Sequence, residues 1–278
     1  MDNQMKNSQT RKAKTMAQKA DRHALYEKSV QDVAGEYQFV NSTFREIRGR
    51  RALHLREDFC GTASMSCEWV RRNKNNTAIG VDIDAEVLAW GRQHNLSRLK
   101  PDAHLRISLL EGDVRQVQTA RPVDIVLAMN FSYQLFKTRE TLCNYFREVR
   151  KALNEEGVFM MDAFGGYEAF QKTREKCKLK GFKYIWEHAR YNPIDGNMLC
   201  YIHFSFPDGS KLKRAFTYDW RLWSLPELRE LLEEAGFSKV TVYWEETDPE
   251  TGDGSGVYSP ATVGDADPVW VCYLVAEK

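Results

Sequence analysis

Residues 52–63 read Ala52-Leu53-His54-Leu55-Arg56-Glu57-Asp58-Phe59-Cys60-Gly61-Thr62-Ala63, and the reading of this stretch decides the fold. Ala52–Leu55 is a short apolar strand candidate, and Asp58–Ala63 is a turn centred on Gly61. Ser64–Arg72 then patterns as a helix with Met65 and Trp69 on one face. A strand, a glycine-bearing turn and a helix in that order let backbone approach a nucleotide at the carboxyl end of a sheet.

Working outward, the alternation repeats. Thr77–Asp82 is a second strand ending in an acid, and Ala85–His94 is the helix after it. Leu105–Leu110 is a third strand, running into Glu111-Gly112-Asp113. Val123–Met129 is a fourth, apolar enough to be buried on both faces. Arg139–Leu153 patterns as an amphipathic helix, and Gly157–Ala163 as a fifth strand. Strands alternating with helices predict a mostly parallel, doubly wound α/β sheet with right-handed crossovers. Upstream, Leu25, Val30, Val33, Tyr37, Val40 and Phe44 follow a helical spacing, which predicts a helix over Ala24–Arg48 broken or bent near Gly35.

Beyond the fifth strand the period changes. Residues 182–221 alternate as antiparallel strands do, with hairpin signals at Asp195-Gly196 and Asp208-Gly209. A β-rich cap over 177–222 is therefore expected as an insertion. Ser224, Pro226 and Gly236 punctuate one more helix, and Lys239–Trp244 and Val269–Ala276 are the last two strands. Residues 246–267 hold six acids and no base, and read as a long loop or lid.

The 278 residues fit one domain with an insertion. That domain is expected over 23–278, preceded by a flexible arm at 1–22 with six Lys or Arg against two Asp. Forty Lys plus Arg against 39 acids argue against a surface given over to nucleic acid. No apolar run suggests a membrane span or a secretion signal, so a cytoplasmic protein is expected. The six cysteines lack zinc-ligand spacing and read as isolated thiols; no metal is expected.

The chemistry follows the strand ends. Gly61 precedes Asp82 by 21 residues, the separation at which a second-strand carboxylate meets ribose hydroxyls. Asp113, closing the third strand, is a candidate for an adenine amino group. With Gly80-Val81-Asp82-Ile83-Asp84, Glu111-Gly112-Asp113-Val114 and Asp124–Asn130 added to the opening stretch, the sequence resembles the class I S-adenosylmethionine-dependent methyltransferases. Leu153–Val158 and the helix Leu225–Phe237 extend the resemblance over about 50–165 and 222–278. It implies a Rossmann-like, seven-stranded sheet with a reversed last strand, and S-adenosylmethionine as cofactor. It also implies cofactor contacts from Phe59, Cys60, Gly61, Asp82, Ile83, Asp113, Val114 and Met129. One departure stands out. The family's G-x-G-x-G turn has Phe59 and Ala63 in place of its outer glycines.

Two residues are candidates for the cofactor's amino-acid end. Arg56 suits a carboxylate, or else pairs with Glu57 or Asp58; Tyr26 suits a hydrogen bond there, or else packs in a helix. Asn130 and Tyr133 keep the first and last letters of the Asn-Pro-Pro-Tyr motif of amino-methylating enzymes, which makes them the catalytic candidates. The alternative is that Asn130 caps a helix and Tyr133 packs. The cap is dense in aromatics, among them Tyr184, Trp186, Tyr218 and Trp220, suited to a small amine through cation–π attraction or simply to the cap's own core. His188 and His203 on these strands are proton acceptors or structural histidines. The layout is similar to small-molecule N-methyltransferases such as the glycine/sarcosine and amino-sugar enzymes. Methyl transfer to a small-molecule amine is the resulting expectation. Its rivals are an RNA or protein methyltransferase docking through the basic arm and a non-catalytic cofactor-binding or interaction protein.

Overall fold

The computed structural model describes residues 13–252 and 254–278. The chain enters through three helices: α1 (Met16–Lys19), α2 (Arg22–Ser29) and α3 (Val33–Arg48). It then alternates through β1 (His54–Asp58), α4 (Ser64–Arg72), β2 (Thr77–Asp82), α5 (Ala85–His94), α6 (Pro101–His104), β3 (Ile107–Glu111), β4 (Val123–Ala128), α7 (Arg139–Ala152) and β5 (Leu153–Gly165). The insertion supplies β6 (Thr173–Leu179), β7 (Phe182–Tyr191), β8 (Asn197–Ser205) and β9 (Lys211–Arg221). Helix α8 (Leu225–Glu234) and strands β10 (Lys239–Thr247), β11 (Gly254–Ala261) and β12 (Trp270–Glu277) complete the chain.

The central sheet has the order β11-β10-β12-β5-β4-β1-β2-β3. Strands β1 to β5 are mutually parallel, and β12 is antiparallel to both β5 and β10. The strand order reverses between β1 and β4, which makes their carboxyl ends the place for a ligand. Seven strands and a reversed last strand are as expected, and an eighth is added. Strand β11 forms within 246–267, where the sequence reads as a loop, and pairs antiparallel with the edge of β10.

Two apolar layers sandwich this sheet. On β4, Val126 and Ala128 pack toward α7 and α8, while Ile125 and Leu127 pack toward α3 and α4. The break or bend expected near Gly35 is a full break, and it falls at 30–32. Asp32 caps α3 by accepting from the Gly35 N–H at 3.2 Å, and a Cβ on Gly35 would collide with that carboxylate. Glycine there thus belongs to the cap, not to a kink.

The insertion folds as a separate antiparallel sheet, β6-β7-β8-β9, with Gly196 and Gly209 in left-handed turns at the two hairpin signals. Of the basic arm, residues 1–12 lie outside the described residues. Its next segment docks on the cap: the Met16 N–H donates to Asp208 at 2.8 Å and the Ala17 N–H to Ser210 Oγ at 3.0 Å. Among the described residues, no helix is long and apolar enough to cross a membrane.

Candidate active site

The turn after β1 is built from backbone that glycine prefers. Phe59, Gly61 and Ala63 have φ of 56°, 52° and 58°. The left-handed region costs a non-glycine residue about 1–2 kcal/mol, so something must hold Phe59 and Ala63 there. Phe59 packs between Phe136 and Tyr145, with ring centroids 5.9 and 5.7 Å away, and Ala63 is wholly buried in the core. The Cys60 N–H donates to the Val81 carbonyl at 2.9 Å, and the Gly61 N–H to Asp82 Oδ2 at 2.8 Å. Backbone that G-x-G-x-G obtains from glycine is obtained here from packing and a carboxylate.

This turn opens onto a cleft of about 500 Å³ at the carboxyl ends of β1, β2 and β4. Glu57, Phe59, Cys60, Gly61, Asp82 and Met129 line its floor. Glu57 accepts from the Ser66 N–H at 2.8 Å, and burial pushes its carboxyl up to about 7. Burial also raises the Asp82 carboxyl, against the hydrogen bonds from Asp84 and Gly61 that favour its charged form.

Helix α2 lies across the cleft. Glu27 Oε1 accepts from Thr62 Oγ1 at 2.7 Å, Ser64 Oγ at 2.8 Å and Asn95 Nδ2 at 2.7 Å, tying the helix to the turn. Tyr26, on the same helix, shares a hydrogen bond with Tyr218 of the cap.

Beyond Tyr26 a second cavity of about 210 Å³ lies between the cap and the ends of β4 and β5. Tyr26, Asn130 and Tyr218 line both spaces and so form the boundary between them. Tyr184, Trp186, Tyr218 and Trp220 come from the inner face of the cap, and Phe131 and Phe164 from opposite it. Among the described residues, Glu168, Glu175 and His188 are its ionisable members apart from the tyrosines, and no lysine or arginine lines it. At its mouth, Asn130 and Phe131 have φ of 58° and 56°. The carboxylate of Asp162 holds this bend, accepting from the Asn130 N–H at 2.7 Å and the Phe131 N–H at 2.8 Å. Burial pushes Asp162 up to about 7.

Of the residues singled out in the sequence, Tyr26, Phe59, Cys60, Gly61, Asp82, Met129 and Asn130 come together at the cleft. Others do not. Arg56 is 1% exposed and turned away: its Nε donates to Asp58 at 2.7 Å, and its two amino nitrogens to the carbonyls of Val114 and Val117. Buried, with each of its three nitrogens bonded inside the protein, this guanidinium does not line the cleft, which corrects its candidacy. Tyr133 is fully buried in the main core, because the bend at 130–131 turns it inward. It is a packing residue and its catalytic candidacy is corrected. Asp113 pairs with Arg115 at 2.5 Å, Val114 is buried, and neither lines the cleft. Ile83, by contrast, is 73% exposed directly after Asp82.

Glu57, Asp162 and Glu27 escape the sequence reading. Asp162 is the one charged residue within Val158–Phe164, and that is a readable signal. Glu27 gives none, since its three donors lie 35 to 68 residues away.

Three comparisons bear on this arrangement. A methyltransferase-domain family model matches residues 57–236. YqeM of Bacillus subtilis, which carries a provisional methyltransferase assignment, is 24% identical over 200 residues, covering 68% of this chain and 76% of that protein. Among solved structures, an S-adenosylmethionine-dependent methyltransferase from Clostridium acetobutylicum superposes with a TM-score of 0.67 at 16% identity, over 92% of this chain and 96% of its own. CalS10, an amino pentose methyltransferase of Micromonospora echinaspora solved with S-adenosylmethionine bound, superposes with a TM-score of 0.64 at 16% identity, over 92% and 95%.

Proposed function

The chain belongs to the methyltransferase-domain family, and on that premise we propose that it methylates the amine nitrogen of a small molecule held in the aromatic cavity. It is an S-adenosylmethionine-dependent methyltransferase with a Rossmann-like fold. The cleft fits that cofactor on two grounds. A Cβ on Gly61 would meet nothing within 4 Å, so the turn leaves open the space that a ligand fills. Glu57, Asp58, Asp82 and Asp84 line the cleft against Arg22 and Arg214, an excess of carboxyl groups that suits a ligand carrying positive charge. Glu57, Tyr26 and the Phe59–Gly61 backbone would hold its amino-acid end, Asp82 its ribose, and Ile83 one face of its adenine. Bound there, S-adenosylmethionine supplies an electrophilic methyl group on a sulfonium sulfur.

The chain's own part is positioning. Tyr26, Asn130 and Tyr218 form the boundary across which acceptor and donor meet, and Asp162 fixes the backbone that carries Asn130. Alignment of this kind contributes up to ~7–11 kcal/mol to lowering a barrier. The aromatic walls exclude water and attract the positive charge that develops on the nitrogen as it takes the methyl group.

One observation carries the amine reading: an aromatic cavity that includes Glu168 and Glu175 and, among the described residues, no lysine or arginine adjoins the cofactor cleft directly. Such a lining favours an amine that bears no carboxylate or phosphate. Its volume lies below the ~300–1,000 Å³ of drug-sized ligand sites, which favours a small acceptor. The amino pentose activity of CalS10 points the same way.

The test has two stages. Calorimetric titration should give binding of S-adenosylmethionine that weakens about 100-fold in Asp82→Ala, as expected for two charge-assisted hydrogen bonds. Methyl uptake should then follow with benzylamine, cyclohexylamine and 3-amino-3-deoxyglucose, and not with glycine or phosphoethanolamine. Turnover confined to the anionic amines would sink this reading.

A further inference from the structure

The cap contains two histidines with opposite surroundings. His203 turns to the outer face: its Nδ1 accepts from the Arg214 N–H at 3.0 Å, and its Nε2, though outside hydrogen-bond geometry, has the Glu187 carboxylate 3.1 Å away. His188 lies on β7 in alternation with Tyr184 and Trp186, so all three turn to the same face and line the aromatic cavity. It is 4% exposed, and its Nε2 has no hydrogen-bond partner among the described residues. A buried ring nitrogen left bare destabilises a fold and marks a place where a ligand completes the bonding.

The strand is also bent at this point. His188 pairs with Cys200 and Arg190 with Leu199, so Ala189 is an extra residue. Such a bulge re-aims neighbouring side chains and is frequent beside active sites. The titratable groups sharing the cavity are Tyr26 of α2, Glu168 of the turn Tyr167–Phe170, Glu175 of β6, Tyr184 of β7 and Tyr218 of β9. Burial alone holds the His188 pKa below the usual histidine value, so the ring is neutral at neutral pH.

We infer that His188 is the hydrogen-bond acceptor that orients the amine in the cavity and takes its surplus proton after methyl transfer. This inference rests on the amine reading above. With the ring proton on Nδ1, Nε2 presents a lone pair to one N–H of a neutral amine, leaving the amine's own lone pair free for the methyl group. As nitrogen gains its fourth bond and a positive charge, that N–H becomes a stronger donor, so the contact strengthens toward the transition state. The N–H bond then breaks with its electron pair staying on the product nitrogen. The proton joins Nε2, and the imidazolium returns it to water. A ring of lowered pKa suits this cycle, because it does not retain the proton.

The test uses the full chain with ¹⁵N-labelled histidine and benzylamine as the probe. Adding benzylamine alone should shift the His188 Nε2 resonance. In turnover, His188→Phe should lower kcat on benzylamine about 100-fold with KM changed far less. His188→Gln, whose Oε1 accepts but does not titrate near neutrality, should recover to within about tenfold and lack the acid limb of the wild-type kcat–pH profile. Undiminished binding of S-adenosylhomocysteine certifies that both variants are folded. An unmoved Nε2 together with normal turnover by His188→Phe overturns the role of His188 and leaves the amine reading standing. Failure of the wild type on every amine in the panel brings down both.

Discussion

At the scale of single residues, the turn after β1 poses a question of compensation. Phe59 and Ala63 occupy left-handed backbone at about 1–2 kcal/mol each. Phe59 is held by two ring contacts, whereas Ala63 brings only a methyl group to a buried site. The two glycine substitutions should therefore differ in sign. Phe59→Gly forfeits at most the roughly 3–5 kcal/mol of a fully buried aromatic and recovers about 1–2 kcal/mol of strain, for a net loss of up to about 1–4 kcal/mol. Ala63→Gly should lie between neutral and about 1 kcal/mol more stable, the relieved strain offsetting the lost methyl contact. Urea unfolding of both variants decides the matter; equal losses would mean that the backbone is not strained at either position. This is also the scale at which the sequence is least legible. Arg56 reads as a ligand for an anion, but its partners Val114 and Val117 stand about sixty residues away. Tyr133 reads as catalytic until the bend at Asn130–Phe131 turns it into the core. Both cases hinge on where a side chain points, which spacing does not encode.

At the scale of elements, legibility improves where periodicity is local. Helices α4 and α5 and strand β2 have the bounds that their spacing predicts, since periods of 3.6 and 2 need no distant partner. Strand β11 is the counterexample. Gly254–Ala261 carries three residues of Gly or Pro and no apolar alternation, and owes its form to pairing with β10. The same distinction governs α2. Its own sequence has little amphipathic character, and what seats it over the cleft is Glu27, through Thr62, Ser64 and Asn95. Hydrogen bonds to a charged group contribute about 1.5–3 kcal/mol each, with part lost to exposure. Glu27→Ala should thus loosen α2, weakening cofactor binding about tenfold and raising amide exchange through 22–29 while α4 keeps its protection. Unchanged exchange in α2 would show that contacts with the cap, such as Tyr26 against Phe216 with ring centroids 4.9 Å apart, seat the helix unaided.

At the scale of the whole molecule, Glu57 lines the cofactor cleft, Asp162 stands behind Asn130 at its boundary, and Glu36 is near enough to feel the charge of both. Burial, reinforced by their mutual repulsion, raises Glu36 to about 8 and Glu57 to about 7, and burial raises Asp162 to about 7. A folded pKa above the unfolded one favours the protonated form. The penalty of these groups is absent well below the unfolded values of 3.8 and 4.5, grows as pH rises above them and levels off past the folded values, at about 3 kcal/mol for Glu57. Asp113 and Asp124, lowered by hydrogen bonds from Arg115 and from the Leu53 and His54 N–H groups, act oppositely and lose their contribution only below about pH 4. The unliganded protein should be most stable near pH 5 and less so at pH 8. S-adenosylmethionine carries a sulfonium and an ammonium and favours the ionised carboxylates, so its affinity should rise between pH 6 and 7.5. The rise ends where its own α-amino group begins to deprotonate, near pH 7.7–8.0. S-adenosylhomocysteine lacks the sulfonium and should show a shallower rise. Glu57→Gln keeps the oxygen that accepts from Ser66 and removes the titration, so it should flatten both the stability profile and the affinity profile. Calorimetry at pH 6, 7 and 7.5, with proton release measured in buffers of different ionisation enthalpy, distinguishes the cases. A wild-type affinity flat across that range, with no proton released, would mean that these carboxyls are already ionised and that the positive ligand does not displace their protons.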